Sequence, residues 1–138
     1  MTSLVSGQQL TSHAVIVATG STYRRLDVPG EDELLGAGVH FCATCDGPFY
    51  KGVGEVVVIG LKPNSAFLGD AAQRDPGGFL VTDATMQTSL PGVFAAGDVR
   101  RGSTKQLGSA VGDGIAALLM TRRYLEAHHH KAVALADA

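Results

Sequence analysis

The chain has 138 residues, 45% of them hydrophobic and 17% charged, with a formal net charge of −2, which is the size of one ordinary domain and enough to bury a core. That balance excludes an electrostatic case for nucleic acid or an anionic membrane surface, both of which call for a clustered basic excess; the nearest stretch, "VRRGSTK", is short and mixed. No apolar run approaches the roughly 20 residues that cross a bilayer, and "MTSLVSGQQLTSH" has neither a basic n-region nor an apolar h-region, so the expected compartment is the cytoplasm.

The first predicted element is "HAVIVATGS", a β-branched apolar run from Ala14 to Ala18 closed by Thr19 and Gly20, which reads as a buried parallel strand ending in a tight turn. "EDELLGAG" follows as a possible helical turn that Gly36 and Gly38 end. "EVVVIG" (Glu55 to Gly60) and "GVFAAGD" (Gly92 to Asp98) repeat the form of the first strand, and "GFLVTD" (Gly78 to Asp83) is a shorter fourth candidate. Eighteen glycines, mostly at the ends of apolar runs, suit an α/β protein with tight strand-to-helix turns better than a helical bundle.

From Thr104 to about Glu126, the residues Leu107, Ala110, Val111, Gly114, Ile115, Leu118, Leu119 and Leu125 recur at the spacing of one helix face. Ser103 or Thr104 is the expected cap, and Arg122 and Arg123 suit the negative end of the dipole. The remainder, "AHHHKAVALADA", reads as a frayed tail. Its three adjacent histidines point in different directions on a helix, which argues against a metal site.

The two cysteines stand together in "HFCATCDGPFY". Without a secretion signal, such a pair points to redox chemistry or metal binding rather than to a disulfide framework. A structural zinc needs four ligands, and one CxxC with His40 nearby and His13 far off in sequence supplies too few. A redox pair needs only two thiols able to close a disulfide, one with a lowered pKa, and CxxC at a helix start provides both. A protonated Asp46 in a partly buried place can hand a proton to a departing thiolate. The plain alternative is that Asp46, Gly47 and Pro48 simply make a turn.

"CATCDG" resembles the redox motif of the bacterial-type, low-molecular-weight thioredoxin reductases, within the FAD/NAD(P)-dependent pyridine nucleotide-disulfide oxidoreductases. "AVIVATGSTYRRLDVPGE", "GLKPNSAFL" and "TDATMQTSLPGVFAAGDVRRGSTKQLGSAVGDGIAAL" agree in the family's order, so the resemblance covers about His13 to Glu126. It implies a partial FAD/NAD(P)-binding, Rossmann-like α/β fold with parallel strands and a long C-terminal helix. Residues 1–35 and 61–126 would be FAD-domain-like, 36–60 a remnant of the NADPH domain carrying CxxC, and 127–138 a tail.

In that family electrons pass from NADPH to FAD, to the CxxC disulfide and on to thioredoxin. The resemblance implies Cys45 as the thiol facing the flavin, Cys42 as the one attacking thioredoxin or a similar disulfide protein, and Asp46 as the acid-base group. Asp98 would bind the FAD ribityl and pyrophosphate region, and Lys105, Gln106 and Leu107 would lie against the isoalloxazine. Thr19, Gly20 and Gly97 complete the implied cofactor residues; no metal is implied, and a homodimer is compatible.

Departures from the family pattern accompany these matches. Neither glycine-rich dinucleotide fingerprint is intact: "GAGVHF" has Phe41 in place of the third glycine, and no strand precedes it. After "VVVIG" the chain runs directly into "LKPNSAFL", where Lys62 and Pro63 make no phosphate-cradling turn. The chain thus reads as if the body of the NADPH domain were removed between two similar strand ends. With those neighbours gone, apolar surface should be exposed. Two other readings stand beside a flavoprotein reductase: a non-catalytic remnant that needs a partner, and a small dithiol-disulfide exchange module working without flavin.

Overall fold

The computed structural model describes residues 2–53 and 59–136, with side chains of these stretches up to residue 128. In chain order the strands and helices are β1 (Thr2–Ser3), β2 (Gln9–Leu10), β3 (Val15–Val17), β4 (Ser21–Tyr23), α1 (Ala43–Asp46), β5 (Leu61–Pro63), β6 (Val93–Ala95) and α2 (Leu107–Ala136). They fall into two compact units, one of residues 1–20 and 63–138 and one of residues 21–62.

The centre of the first unit is the parallel pair β3 and β6, in the register Val15 to Val93, Ile16 to Phe94 and Val17 to Ala95. Side chains alternate across a strand, so this pair feeds two small cores. Val17 and Ala95 pack with Ala72, Leu80 and Val99 on one side. Phe94 and Ala96 pack on the other with Ala117, Met86, Met120 and Tyr124, which brings in α2. Phe94 meets Tyr124 edge-on, with centroids 5.9 Å apart. Gly92 is required where β6 begins: its φ is +75°, and a Cβ there would lie 3.0 Å from the His13 carbonyl oxygen and 3.1 Å from the Tyr124 ring.

The sequence expectations meet this structure unevenly. The strands expected at Ala14 to Ala18 and Gly92 to Asp98 form as β3 and β6. The one expected at Glu55 to Gly60 lies largely outside the described residues. The fourth candidate, Gly78 to Asp83, is not a strand. The Asp75 carboxylate takes the Phe79 N–H and the Gly78 backbone turns at φ +87°, so pairing is confined to isolated bridges at Leu80: its own N–H and carbonyl bond Val99 and Arg101 on one side, and the Phe79 carbonyl and Val81 N–H bond Asp75 and Gln73 on the other. Asp83 then closes the next turn by accepting from Thr85 and Gln87, and these bonds, the Thr85 hydroxyl first, hold its carboxyl below the usual value.

The long helix starts later and ends later than expected. Lys105 has φ +59°, a left-handed conformation that cannot continue a helix, so α2 begins at Leu107 and not at Thr104. Ser103 accordingly accepts from the Lys105 N–H, inside the preceding turn, and does not cap α2. The helix continues through "AHHHKAVALA" to Ala136, which places Arg122 in mid-helix, paired with Glu126 at 2.8 Å.

The face of α2 that meets the core also differs from the expected one. Ala110, Asp113, Gly114, Ala117, Met120 and Tyr124 turn inward, whereas Leu107, Val111, Ile115, Leu118 and Leu119 are exposed. Small residues allow close approach to the strand pair, and the branched residues form a second apolar stripe on the solvent side. Exposed apolar surface is expected on the parallel strands; Ile16 of β3 is exposed, and further exposed apolar residues lie on this helix and elsewhere in the chain.

In the second unit, β4 pairs with β5. The Arg24 side chain donates to the Leu61 carbonyl at 3.0 Å, and Tyr23 stacks on Phe41 with centroids 4.3 Å apart. The "LDVPGE" turn closes on a buried carboxylate, since Glu31 accepts from the backbone N–H groups of Leu26 and Asp27 and pairs with Arg25. Residues 30–39 form turns, with a helix-like bond from the Leu34 N–H to the Gly30 carbonyl and Gly36 at φ +79°. Among the described residues no helix is long and apolar enough to cross a membrane.

Candidate functional site

The cysteine pair lies in the second unit. Cys42 caps α1 with extended backbone (φ −109°, ψ 94°), and its Sγ accepts the Cys45 N–H at 3.1 Å. One helical turn is what brings residues three apart together, and Cys42 and Cys45 form a disulfide with their Cα atoms 5.2 Å apart. Cys45 is exposed and Cys42 half-buried. Pro48 sits in the first positions of the following 3₁₀ turn, Gly47–Tyr50, where its missing N–H is no loss.

Asp46 closes α1 with a half-buried side chain. Its Oδ2 lies 3.6 Å from His40 Nδ1, and His40 Nε2 lies 2.5 Å from the Tyr50 hydroxyl. In the sequence His40 stands out only as a possible metal ligand and Tyr50 carries no assignment, although both flank CxxC together with Asp46. Among the described residues, no group of three or more histidine, cysteine, aspartate or glutamate side chains is placed to hold a metal ion.

The residues implied for a cofactor lie in the first unit. Thr19 and Gly20, after β3, are tied to Asn64: the Thr19 hydroxyl donates to the Asn64 carbonyl at 2.6 Å, and the Asn64 side-chain and backbone N–H groups donate to the Thr19 and Gly20 carbonyls. Gly97 follows β6 with φ +73°, and this conformation, rather than crowding, calls for glycine. Asp98, half-buried, accepts from the Ser103 hydroxyl at 3.1 Å.

The Lys105 ammonium donates to the carbonyls of Asp98 and Arg100 at 2.7 and 3.1 Å and sits 4.1 Å above the centre of the Phe79 ring. Burial lowers its pKa, against the opposing pull of Asp98. Gln106 and Leu107 stand exposed at the start of α2, and the Gln106 carbonyl accepts the Ala110 N–H.

One partner in this region has no counterpart in the sequence reading. Asp113, buried on α2, accepts from Arg100 Nε and Nη2 at 2.5 and 2.6 Å and from the Gly97 N–H at 3.1 Å. The Arg100 bonds are the main cause that holds the Asp113 carboxyl below its usual range, and Asp113 in turn raises Arg100.

The donor set fits part of a flavin. A carboxylate at the end of a parallel strand, beside an exposed leucine and a helix start, suits a hydroxyl-bearing chain and a flat ring. The pyrophosphate is not provided for by these residues, because the Gly97 N–H is committed to Asp113 and the Lys105 amine to two carbonyls. Nor do residues 59–68 hold a glycine-rich turn for a second dinucleotide, since Leu61–Pro63 is extended as β5.

The family profile described as "Pyridine nucleotide-disulphide oxidoreductase" matches residues 2–61 and 53–114. The chain belongs to this family. It is 27% identical to the thioredoxin reductase of Treponema pallidum, an alignment taking in 84% of this chain and 66% of that protein. It is also 27% identical to the bifunctional thioredoxin reductase/thioredoxin of Mycobacterium leprae, over 88% of this chain and 46% of that protein.

The fold is similar to that of thioredoxin reductase from Streptococcus pyogenes, with a TM-score of 0.69 at 25% identity, covering 83% of this chain and 66% of that one. The chain thus spans under two thirds of the length of these two curated relatives. The first alignment runs over 202 residues, more than the whole 138 of this chain, so that relative carries internal sequence without a counterpart here.

Proposed function

We propose that this chain is a thioredoxin-reductase-type disulfide oxidoreductase whose redox-active pair is Cys42 and Cys45. The observation that carries this reading is the Cys42–Cys45 disulfide at the start of α1, with Asp46 closing the same turn. When the disulfide opens, the Cys45 N–H directed at Cys42 Sγ favours negative charge on that sulfur. This suits Cys42 as the thiolate that attacks a disulfide partner, with Asp46 giving and taking the proton.

FAD is the proposed electron source, held by Asp98, Gln106 and Leu107 with Thr19, Gly20, Gly97 and Lys105 shaping its surroundings. Bound flavin would supply the two electrons that reduce the pair. No step is assigned to NADPH, for which the described residues offer no phosphate turn. A thioredoxin-like protein is the proposed partner, in line with the fused name of the Mycobacterium leprae relative, and the cytoplasm the proposed compartment, where dithiols are cycled through reduction. We assign residues 1–35 and 61–126 to the flavin side and 36–60 to the disulfide side.

The test is a visible spectrum of the purified chain after incubation with FAD and removal of free flavin. Retained flavin bands that bleach on reduction are expected, and their absence overturns the cofactor assignment for this chain.

A second reading, that the chain is inactive until a partner completes it, is favoured by the exposed stripe Leu107, Val111, Ile115, Leu118 and Leu119. The overlap of the two profile matches at 53–61 also supports it, as a chain joined across two similar strand ends would give such an overlap. NADPH-dependent reduction of thioredoxin by the isolated monomer would end this second reading.

A further inference from the structure

Around the disulfide, two groups, His40 and Tyr50, have no part in the assignments above. His40 precedes the pair by two residues, on the segment that leads into α1, and its ring lies between two residues that follow the pair, bonded to one and facing the other. Nδ1 faces Asp46 Oδ2 at 3.6 Å and Nε2 faces the Tyr50 hydroxyl at 2.5 Å, with the two rings tilted at 56° and their centroids 4.9 Å apart. The His40 side chain is 18% exposed and that of Asp46 35% exposed, so the row runs from a sheltered imidazole to a carboxyl within reach of water.

We propose that His40 is a positioning residue of the disulfide site, relaying a proton between Tyr50 and Asp46 as the Cys42–Cys45 disulfide opens and closes. A phenol donates to a neutral imidazole nitrogen; with Tyr50 donating to Nε2, the ring proton sits on Nδ1, on the Asp46 side, where a closing of the 3.6 Å gap would make the bond. The titratable groups contacting the ring are Asp46, from α1, and Tyr50, from the 3₁₀ turn. The inference rests on the reading of Cys42 and Cys45 as a redox pair.

The step balances with a dithiol as reductant. A thiolate of the dithiol bonds to one protein sulfur, the Cys42–Cys45 bond breaks, and the departing sulfur takes a proton from the Asp46 carboxyl. Asp46 recovers its proton from His40 Nδ1, Nε2 takes that of Tyr50, and Tyr50 is restored by water. The second thiol of the dithiol then closes its own disulfide and releases the other cysteine. The dithiol loses two electrons and two protons, and the protein gains both.

The experiment is the reduction of the oxidised full chain by dithiothreitol, followed as a second-order rate from pH 5 to pH 9, with thiolate absorbance at 240 nm recording the cysteine titration. His40→Gln should slow reduction about tenfold near neutral pH, below the range for direct acid-base groups because Asp46 itself remains. Tyr50→Phe should slow it about threefold and shift the pH profile. In an Asp46→Asn background, His40→Gln should add no further loss, since groups acting in series are not additive.

Wild-type rates for both His40→Gln and Tyr50→Phe at every pH, or losses from His40→Gln and Asp46→Asn that multiply, would overturn the relay. If circular dichroism shows that His40→Gln has lost its fold, Tyr50→Phe decides alone. A wild-type chain whose disulfide dithiothreitol does not open overturns the redox pair and the relay with it, whereas normal exchange with indifferent variants overturns only the relay.

Discussion

Asp113 holds Arg100 through two parallel bonds of 2.5 and 2.6 Å, and the same carboxylate takes the Gly97 N–H that follows β6. One side chain of α2 therefore fixes both ends of the turn that presents Asp98. Removing the charge while keeping the shape, Asp113→Asn, leaves the half-buried Arg100 without its partner and should destabilise the fold by about 2 kcal/mol, less than for a fully buried pair. Thermal unfolding of the two proteins compares them directly.

The pH dependence of that difference has a definite sign. Asp113 has a lowered pKa in the fold, so its contribution is complete above the unfolded carboxylate value of about 3.9 and is lost as pH falls through the lower folded value. The gap in melting temperature between wild type and Asp113→Asn should be constant from pH 7 to about pH 5 and close at more acid pH. A gap that persists at pH 2 would show that the carboxylate's charge is not what stabilises the turn.

Gly92→Ala should destabilise by about 2 to 3 kcal/mol, combining the cost of a left-handed alanine with the displacement of the His13 carbonyl and Tyr124. Denaturant unfolding checks it, and Gly7→Ala is the control, since its φ is +81° with nothing within 4 Å of a new Cβ. The difference between the two isolates the crowding.

Phe94→Ala removes the largest fully buried side chain, at the centre of one of the two cores. A loss of about 3 to 5 kcal/mol is expected. In a fold with cores this small the variant should melt below room temperature or fail to show a cooperative transition by near-ultraviolet circular dichroism.

Val111→Lys and Ile115→Lys on the exposed stripe of α2 should change unfolding free energy by no more than about 0.5 kcal/mol while lowering self-association in light scattering. Unchanged association would mean that the stripe is not what brings chains together.

How far the sequence revealed this arrangement follows from the range of the forces involved. β3 and β6 were legible because each is a continuous apolar run closed by glycine, and the Cys42–Cys45 pair because CxxC is a local signal, whereas the short helix α1 that joins the two cysteines was not among the predicted elements. The strand expected around Leu80 does not form, since a carboxylate-closed turn at Asp75 takes its first bonds and pairing with Val99 is set by the tertiary fold. The inward face of α2 was hidden because the helix is apolar on two sides, so the spacing of its leucines fits either. Asp113 gave no warning: amid glycines on a helix it reads as solvated, and its partners lie 13 and 16 residues away.

The left-handed backbone at Lys105 sets the rotational phase of the whole C-terminal helix. Each residue added or removed ahead of Leu107 would rotate every later side chain by about 100° about the axis. Asp113 would swing off Arg100, and a glycine, Gly112 or Gly114, would arrive in its stead. Deletion of Gln106 should therefore uncouple α2 from the Gly97 turn more completely than any single substitution within either.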